Sequence, residues 1–297
     1  MIPAERGFLL LSSHLGEKRR GPLTTAQLRV LADRVRGSSL SVSDRDLVPR
    51  DLMILGYGSE MAERIVSLLS EEDVLDYYLR KGQILGCTPI TRISESYPLH
   101  LRKRLGLDSP GVLWVRGDVS LLNQPMVSLV GSRELREENY RFAAEVGRQA
   151  ARQGYVLVSG NARGADRTAQ ESCLSAGGRV ISVIADELWK QPLRERVLYL
   201  SEDDFDEAFS AQRALSRNRV IHALGIVTFV AQSAHRTGGT WDGTVKNLQH
   251  CWSSVYGYDD GSTAMTELSQ LGLEMIGLEE LSDFYNLPVS EQNIFDR

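Results

Sequence analysis

The chain has 297 residues, enough to bury a substantial core, and this length suits one large domain accompanied by a smaller one. With 42% hydrophobic and 25% charged residues it reads as globular rather than disordered or fibrous. A net charge of −5 argues against binding duplex DNA over a wide basic surface, yet a few arginines and backbone amides suffice for a local positive pocket.

Near the N-terminus the apolar run Phe8–Leu11 is too short for a secretory signal and has charges close on both sides. No run of about 18 uninterrupted apolar residues occurs, so the sequence predicts a cytoplasmic protein without membrane association. Residues 1–85 alternate helical periods with polar breaks. The segment Gly7–His14 comes first, followed by a capping-box pattern Thr24-Thr25-Ala26-Gln27 ahead of Leu28 and Leu31. Further apolar periods follow at Leu47 and Leu52, at Met61, Ile65, Leu68 and Leu69, and at Val74, Tyr77 and Leu79, the last opened by Ser70-Glu71-Glu72-Asp73. This predicts a small all-helical N-terminal domain, in which Gly56-Tyr57-Gly58 is either a plain turn or a hairpin gripping a DNA backbone. Residues 86–125 contain Pro89, Pro98, Pro110 and Pro125 around short apolar runs such as Gly111–Val115, which predicts a connector with one or two strands.

From 126 to 297 the pattern becomes strand, glycine turn, helix, repeated. Strands are expected at Met126–Val130, Tyr155–Val158, Val180–Ile184, Val197–Leu200, Ile226–Val230, Trp252–Tyr256 and Glu274–Ile276. Helices are expected through Phe142, Val146 and Ala150 to near Gly154, over Ala165–Ala176, and near 211–223, 243–250 and 263–271. Such alternation predicts an α/β fold of the Rossmann-like, doubly wound kind with a mainly parallel sheet.

In such a sheet ligands sit at the carboxyl ends of the strands, so the loops after strands carry the candidate chemistry. Gly131-Ser132-Arg133 supplies a close backbone turn, a hydroxyl and a planar guanidinium fork for phosphate. The stretch Ser159-Gly160-Asn161-Ala162-Arg163-Gly164-Ala165-Asp166 leads into a helix whose free N–H groups attract anions, with Asp166 either at a ligand or serving as the helix's N-terminal charge. Gly238, Gly239 and Thr240 begin a third loop running to Thr244, and Arg217 and Asn218 are placed at the same pocket. Neither G-x-G-x-x-G after the first strand nor G-x-x-x-x-G-K-[ST] is present, which speaks against NAD and P-loop ATP chemistry; no cofactor is expected. Cys87, Cys173 and Cys251 are far apart and lack histidine partners at ligand spacing, so no metal is expected.

Together these motifs resemble the DNA-processing protein A family (DprA, also called Smf) over about residues 90–258. The matching residues are Tyr97-Pro98, Leu113 to Gly117, Val130-Gly131-Ser132-Arg133, Ser159-Gly160 with Ala162-Arg163-Gly164 and Asp166, Gly177-Gly178, and Arg217-Asn218-Arg219. The helical N-terminal region also resembles the sterile-alpha-motif-like or helix-hairpin-helix element found ahead of that core. The resemblance implies a homodimeric Rossmann-like core that binds single-stranded DNA and delivers it to a RecA-type recombinase. It also implies pocket residues Gly131, Ser132, Arg133, Ser159, Gly160, Arg163 and Arg217. Ala185–Pro192 and Gly238–Thr244 depart from the family's usual turns. A divergent member acting as a nucleotide sensor or hydrolase, for instance in phage defence, is the alternative. Related nucleotide phosphoribohydrolases carry a glutamate where Asn247 stands here, and an amide cannot act as a general acid or base, which leaves Asp242 as the one substitute for that role. The residues therefore predict a binder more than an enzyme.

Overall fold

The computed structural model describes residues 1–38 and 46–287. Contacts divide the chain into two units, one made of residues 1–97, 110–114 and 202–204, the other of 98–109, 115–201 and 205–297. Segment 86–125, read from sequence as a connector, is thus shared between them.

The first unit begins with five helices, α1 (Pro3–Ser12), α2 (Thr25–Arg36), α3 (Pro49–Ile54), α4 (Ser59–Leu69) and α5 (Glu72–Ile84). The capping box of α2 is formed as its sequence implies: the Gln27 N–H donates to Thr24 Oγ1 at 3.3 Å and the Thr24 N–H donates to Gln27 Oε1 at 2.9 Å. Leu11, Leu52, Ala62, Ile65 and Leu68 of α1, α3 and α4 are buried together with Leu23, just ahead of α2, in one core. Tyr57, in the turn between α3 and α4, is covered by the Arg34 guanidinium 4.2 Å from its ring centre, a contact that ties this turn to α2. Strand β1 (Thr88–Thr91) and the first half of β2 (Val112–Gly117) complete the unit. There the Trp114 ring meets Tyr78 edge-on at 5.5 Å.

The second unit opens with α6 (Leu99–Leu105) and the end of β2. The alternation then runs β3 (Met126–Val130), α7 (Glu137–Arg152), β4 (Val156–Ser159), α8 (Ala165–Ser175), β5 (Arg179–Val183), β6 (Val197–Ser201), α9 (Ala211–Ser216), α10 (Asn218–Leu224), β7 (Val227–Val230), α11 (Gly238–His250), β8 (Ser254–Tyr258), α12 (Thr263–Gln270) and β9 (Glu274–Ile276). The seven strands lie in the order β6-β5-β4-β3-β7-β8-β9, every neighbouring pair parallel. This is the Rossmann-like, mainly parallel α/β fold, with each expected strand within two residues of its expected ends. Strands β3 to β6 are buried almost throughout, as a sheet covered on both faces requires. Chain order runs outward in one direction from β3 to β6 and in the other from β7 to β9, so the winding reverses between β3 and β7. A crevice forms at such a switch point because the flanking helices leave on opposite faces.

Behind that crevice lies a buried polar network. His222 of α10 is fully buried and its Nδ1 is 3.0 Å from Asn247 Nδ2 of α11; Asn247 in turn donates to Ser253 Oγ at 3.0 Å. Burial without a charged partner depresses the His222 pKa from 6.5 to about 3. Between those two values the unfolded chain binds a proton that the folded chain excludes, so stability declines as pH falls through 6.5 toward 3. His222→Gln is expected to flatten that decline by up to about 1.4 kcal/mol per pH unit, read from urea unfolding curves across the range. An equally steep profile in the variant would remove His222 as the cause.

No helix among the described residues is long and apolar enough to cross a membrane.

Candidate nucleic-acid interface

Because β3, β4 and β7 are parallel, the loops that follow them leave the same edge of the sheet. Between them lies a cleft of about 670 Å³ at the β3/β7 switch point. One wall is the turn Gly131-Ser132-Arg133, a second the first turn of α11 at Gly238, Gly239 and Thr240, and a third the aliphatic side of α9 at Ala211, Ala214 and Leu215. Ala162, Asp166 and Arg217 line it from the β4 side.

Close backbone approaches hold these walls in place. A side-chain carbon on Gly131 would collide with the methyl of Ala165, so glycine lets β3 run directly beneath the start of α8. Gly164 has φ of +86°, a region that L side chains rarely adopt, and its Cα faces the carbonyl oxygens of Ser132 and Arg133. The Ala165 N–H donates to the Ser132 carbonyl at 3.1 Å, which locks the β3 and β4 loops together. Ser132 also donates through its N–H at 3.0 Å and its hydroxyl at 3.2 Å to the Gln232 carbonyl, which joins the β3 and β7 loops. Gln232 completes the tie with its side chain, accepting from the Arg136 N–H at 3.0 Å and donating to the Glu134 carbonyl at 3.2 Å. No sequence signal marked Gln232, and none marked the aliphatic wall of α9 beyond its helical period.

The electrostatics are uneven. Arg217 is buried at the junction of α9 and α10 and donates to the carbonyl oxygens of Gly160 and Val183, the ends of β4 and β5. Asp166 is buried beside it and accepts from the Ala162 N–H at 3.1 Å. Burial pushes the Asp166 carboxyl above its ordinary value, opposed by the Arg217 charge and by the Ala162 N–H. These two charges offset one another in the floor. Arg133, by contrast, is exposed on the cleft wall, with neither an ion pair nor a hydrogen bond among the described residues. Opposite it, the N-cap of α11, Thr237, makes no side-chain hydrogen bond to the first turn, so the amides there remain open to an acceptor. A free guanidinium and the positive end of a 13-residue helix facing one hollow are the features that attract an anion.

The residues singled out from sequence therefore fall into groups. Gly131, Ser132, Arg133, Arg217, Asn218, Gly238, Gly239 and Thr240 all line the cleft. Gly238–Thr244, read as a loop, is instead the opening of α11 itself. Asn218 donates to the Gly239 carbonyl at 2.9 Å and so fixes that first turn. Ser159 and Gly160 are buried, Gly160 directly under the Arg217 guanidinium, where they shape the floor without facing the hollow. Gly164 sets the loop crossing, and Arg163 is exposed on the rim, paired with Glu134 at 2.9 Å. Asn247 is turned into the interior network, and Asp242 pairs with Lys246 at 2.8 Å on the surface.

Comparison with known proteins follows the same core. A family model described as DNA recombination-mediator protein A matches residues 88–247, just over half of the chain. The DNA processing protein DprA of Bacillus subtilis is 25% identical over 193 residues, 59% of this chain and 64% of its own length. DprA of Streptococcus pneumoniae is 29% identical over 156 residues, 49% of this chain and 54% of its own. The matched region thus spans between half and two-thirds of these curated relatives. Among solved structures, DprA of Streptococcus pneumoniae superposes with a TM-score of 0.68 at 22% identity, covering 87% of this chain and 92% of that one. A Helicobacter pylori DprA structure, concerned with that protein's single-stranded DNA binding mode, gives 0.56 at 22% identity over 66% of this chain and 94% of that one. At these identities the two structures speak to the fold.

Proposed function

Because the chain belongs to the DNA recombination-mediator protein A family, we propose that it binds single-stranded DNA in the cleft between the β3 and β7 loops. In this reading Arg133, Ser132 and the first turn of α11 take backbone phosphates, while the aliphatic wall of α9 packs against a sugar or base. Arg217, Asn218, Ser159, Gly160, Arg163 and Gly164 act behind or beside the contact surface, holding its shape. The carrying observation is the pairing of the partner-free Arg133 guanidinium with the uncapped start of α11 across one hollow. The ligand class draws further support from the Helicobacter pylori relative, whose structure concerns single-stranded DNA binding. Delivery of the bound strand to a RecA-type recombinase, by a homodimer of this chain, is the corresponding cellular role.

Fluorescence anisotropy with a labelled single-stranded oligonucleotide tests the reading. Arg133→Ala is expected to weaken binding about tenfold or more and to lower the slope of log affinity against log salt by about 0.7, the share of one phosphate contact on a single strand. Arg133 is exposed, so the variant should retain its circular dichroism spectrum. Affinity and salt slope equal to the parent's would overturn the assignment of the cleft.

A further inference from the structure

A second concave surface of about 630 Å³ lies on the outer face of the second unit, between α7 and α8. Both helices leave the carboxyl edge of the sheet and run toward the other edge, so the groove between them starts beside the cleft. They pack unusually closely: a side-chain carbon on Gly147 of α7 would overlap the Ala169 backbone of α8. The side chains flanking this tight seam stand up as the walls of the groove. On α7 these are Tyr140, Arg148 and Arg152; on α8 they are Arg167 and the hydroxyls of Thr168, Ser172 and Ser175.

The chemistry of these walls is specific. Two guanidinium groups of α7 face the short hydroxyl side chains of α8, which carries a third guanidinium, and one aromatic ring, Tyr140, stands 55% exposed at the end nearest the cleft. Glu171 also lines the groove, bonded to Arg194 at 2.9 Å, and Glu145 holds Arg148 at 2.7 Å. Arg152 is exposed and has no hydrogen-bond or ion-pair partner among the described residues. Arg167 is exposed as well, and its Nε donates at 3.3 Å to the Asn161 carbonyl, within the loop whose Ala162 lines the cleft. Arg163, on the cleft rim, precedes Arg167 by four residues, in the loop that leads into α8. From Arg133 past Arg163 to Arg167, Arg148 and Arg152, cationic groups therefore follow one path around the edge of the sheet. Cationic side chains tracking a backbone, with an aromatic ring for base stacking, are the features by which proteins hold single strands without reading sequence.

We propose that the α7–α8 groove is a second single-stranded nucleic-acid subsite, taking the stretch of strand that leaves the cleft past Arg163. This rests on the reading of the cleft given above. The segment of α7 from Tyr140 to Arg152 is about 18 Å long at 1.5 Å per residue, room for several nucleotides beyond those in the cleft. Arg148, Arg152 and Arg167 contact phosphates, and Tyr140 stacks on a base at the groove entrance. Long strands then bind more tightly than short ones because both subsites are filled.

Anisotropy titrations with two labelled oligonucleotides, one of about 5 and one of about 25 nucleotides, separate the subsites, since single-strand sites on one domain span about 4–16 nucleotides. Changing Arg148→Ala and Arg152→Ala together should weaken the long oligonucleotide about tenfold and lower its salt slope by about 1.4, leaving the short one unchanged. Tyr140→Ala should weaken the long oligonucleotide about fivefold or more, by loss of stacking. All three side chains lie on the surface, and unchanged thermal unfolding would confirm intact variants. A long oligonucleotide bound by the double variant with the parent's affinity and slope would overturn the proposal, as would equal weakening of both lengths. Arg133→Ala reports on the cleft separately: loss of the short oligonucleotide supports it, whereas full retention removes the cleft whatever the groove variants do.

Discussion

Replacing Arg217 by methionine is expected to destabilise the chain by about 3–5 kcal/mol, the range measured when one partner of a buried charge pair is removed. The guanidinium joins the end carbonyls of β4 and β5 and stands beside the buried Asp166 carboxylate. Methionine fills similar volume but leaves two carbonyls without their donor and the Asp166 carboxyl without a nearby positive charge. The loss should depend on pH in a defined direction. Burial already lifts the Asp166 pKa above 3.8, and the nearby Arg217 charge is the main influence opposing that lift. Without Arg217 the folded value climbs further. Above 3.8 the unfolded chain has released this proton while the folded chain keeps it, so folding must take up a proton and stability falls with rising pH. Urea unfolding should therefore show a difference between variant and parent that is smallest near pH 3.8 and grows toward neutrality. A difference independent of pH would mean that Asp166 does not share the Arg217 charge.

Gly164→Ala is expected to cost about 2–4 kcal/mol, combining a positive φ unsuited to an L side chain with a collision against two carbonyl oxygens. Neither oxygen can withdraw cheaply, because the Ser132 carbonyl also accepts from the Ala165 N–H. The β3 and β4 loops must separate, carrying Arg133 away from the start of α11. Single-stranded DNA affinity should thus fall together with stability, even at temperatures where the variant stays folded. Gly238→Ala makes the control: φ there is +82°, but nothing lies within 4 Å of the added carbon. That change should cost only the backbone strain, about 1 kcal/mol, so its unfolding midpoint should shift much less. Equal shifts in the two variants would show that the loop crossing contributes nothing.

Much of the fold was legible because buried parallel strands leave a plain record. Val127, Leu129 and Val130, or Val156 to Val158, are short apolar runs bounded by glycine or proline, and the helices between them carry fourfold apolar periods. The candidate site was legible to the extent that its loops follow strands. What the sequence could not reveal was the direction in which a residue is used. The three glycines in Gly238–Thr244 read as a loop, since glycine disfavours helix interiors. In the structure they open α11, and Gly239 and Gly243 let Asn218 and His222 of α10 approach to where a side-chain carbon would be 3.0–3.2 Å away. The same residue type serves a phosphate turn or a close helix crossing, and only the neighbouring helix decides. Arg217 is a similar case: its composition suits a ligand contact, whereas its guanidinium is directed at two main-chain carbonyls. The sharing of 110–114 and 202–204 with the N-terminal helices is a long-range arrangement without any local pattern to announce it.

The open first turn of α11 gives the cleft a property beyond charge. The leading amides of α11 lack a side-chain acceptor, and in the proposed reading a phosphate oxygen supplies the one that Thr237 does not. Asn218 already holds that turn through the Gly239 carbonyl, so on this reading the strand would cap a turn set in place beforehand and binding would carry little ordering cost.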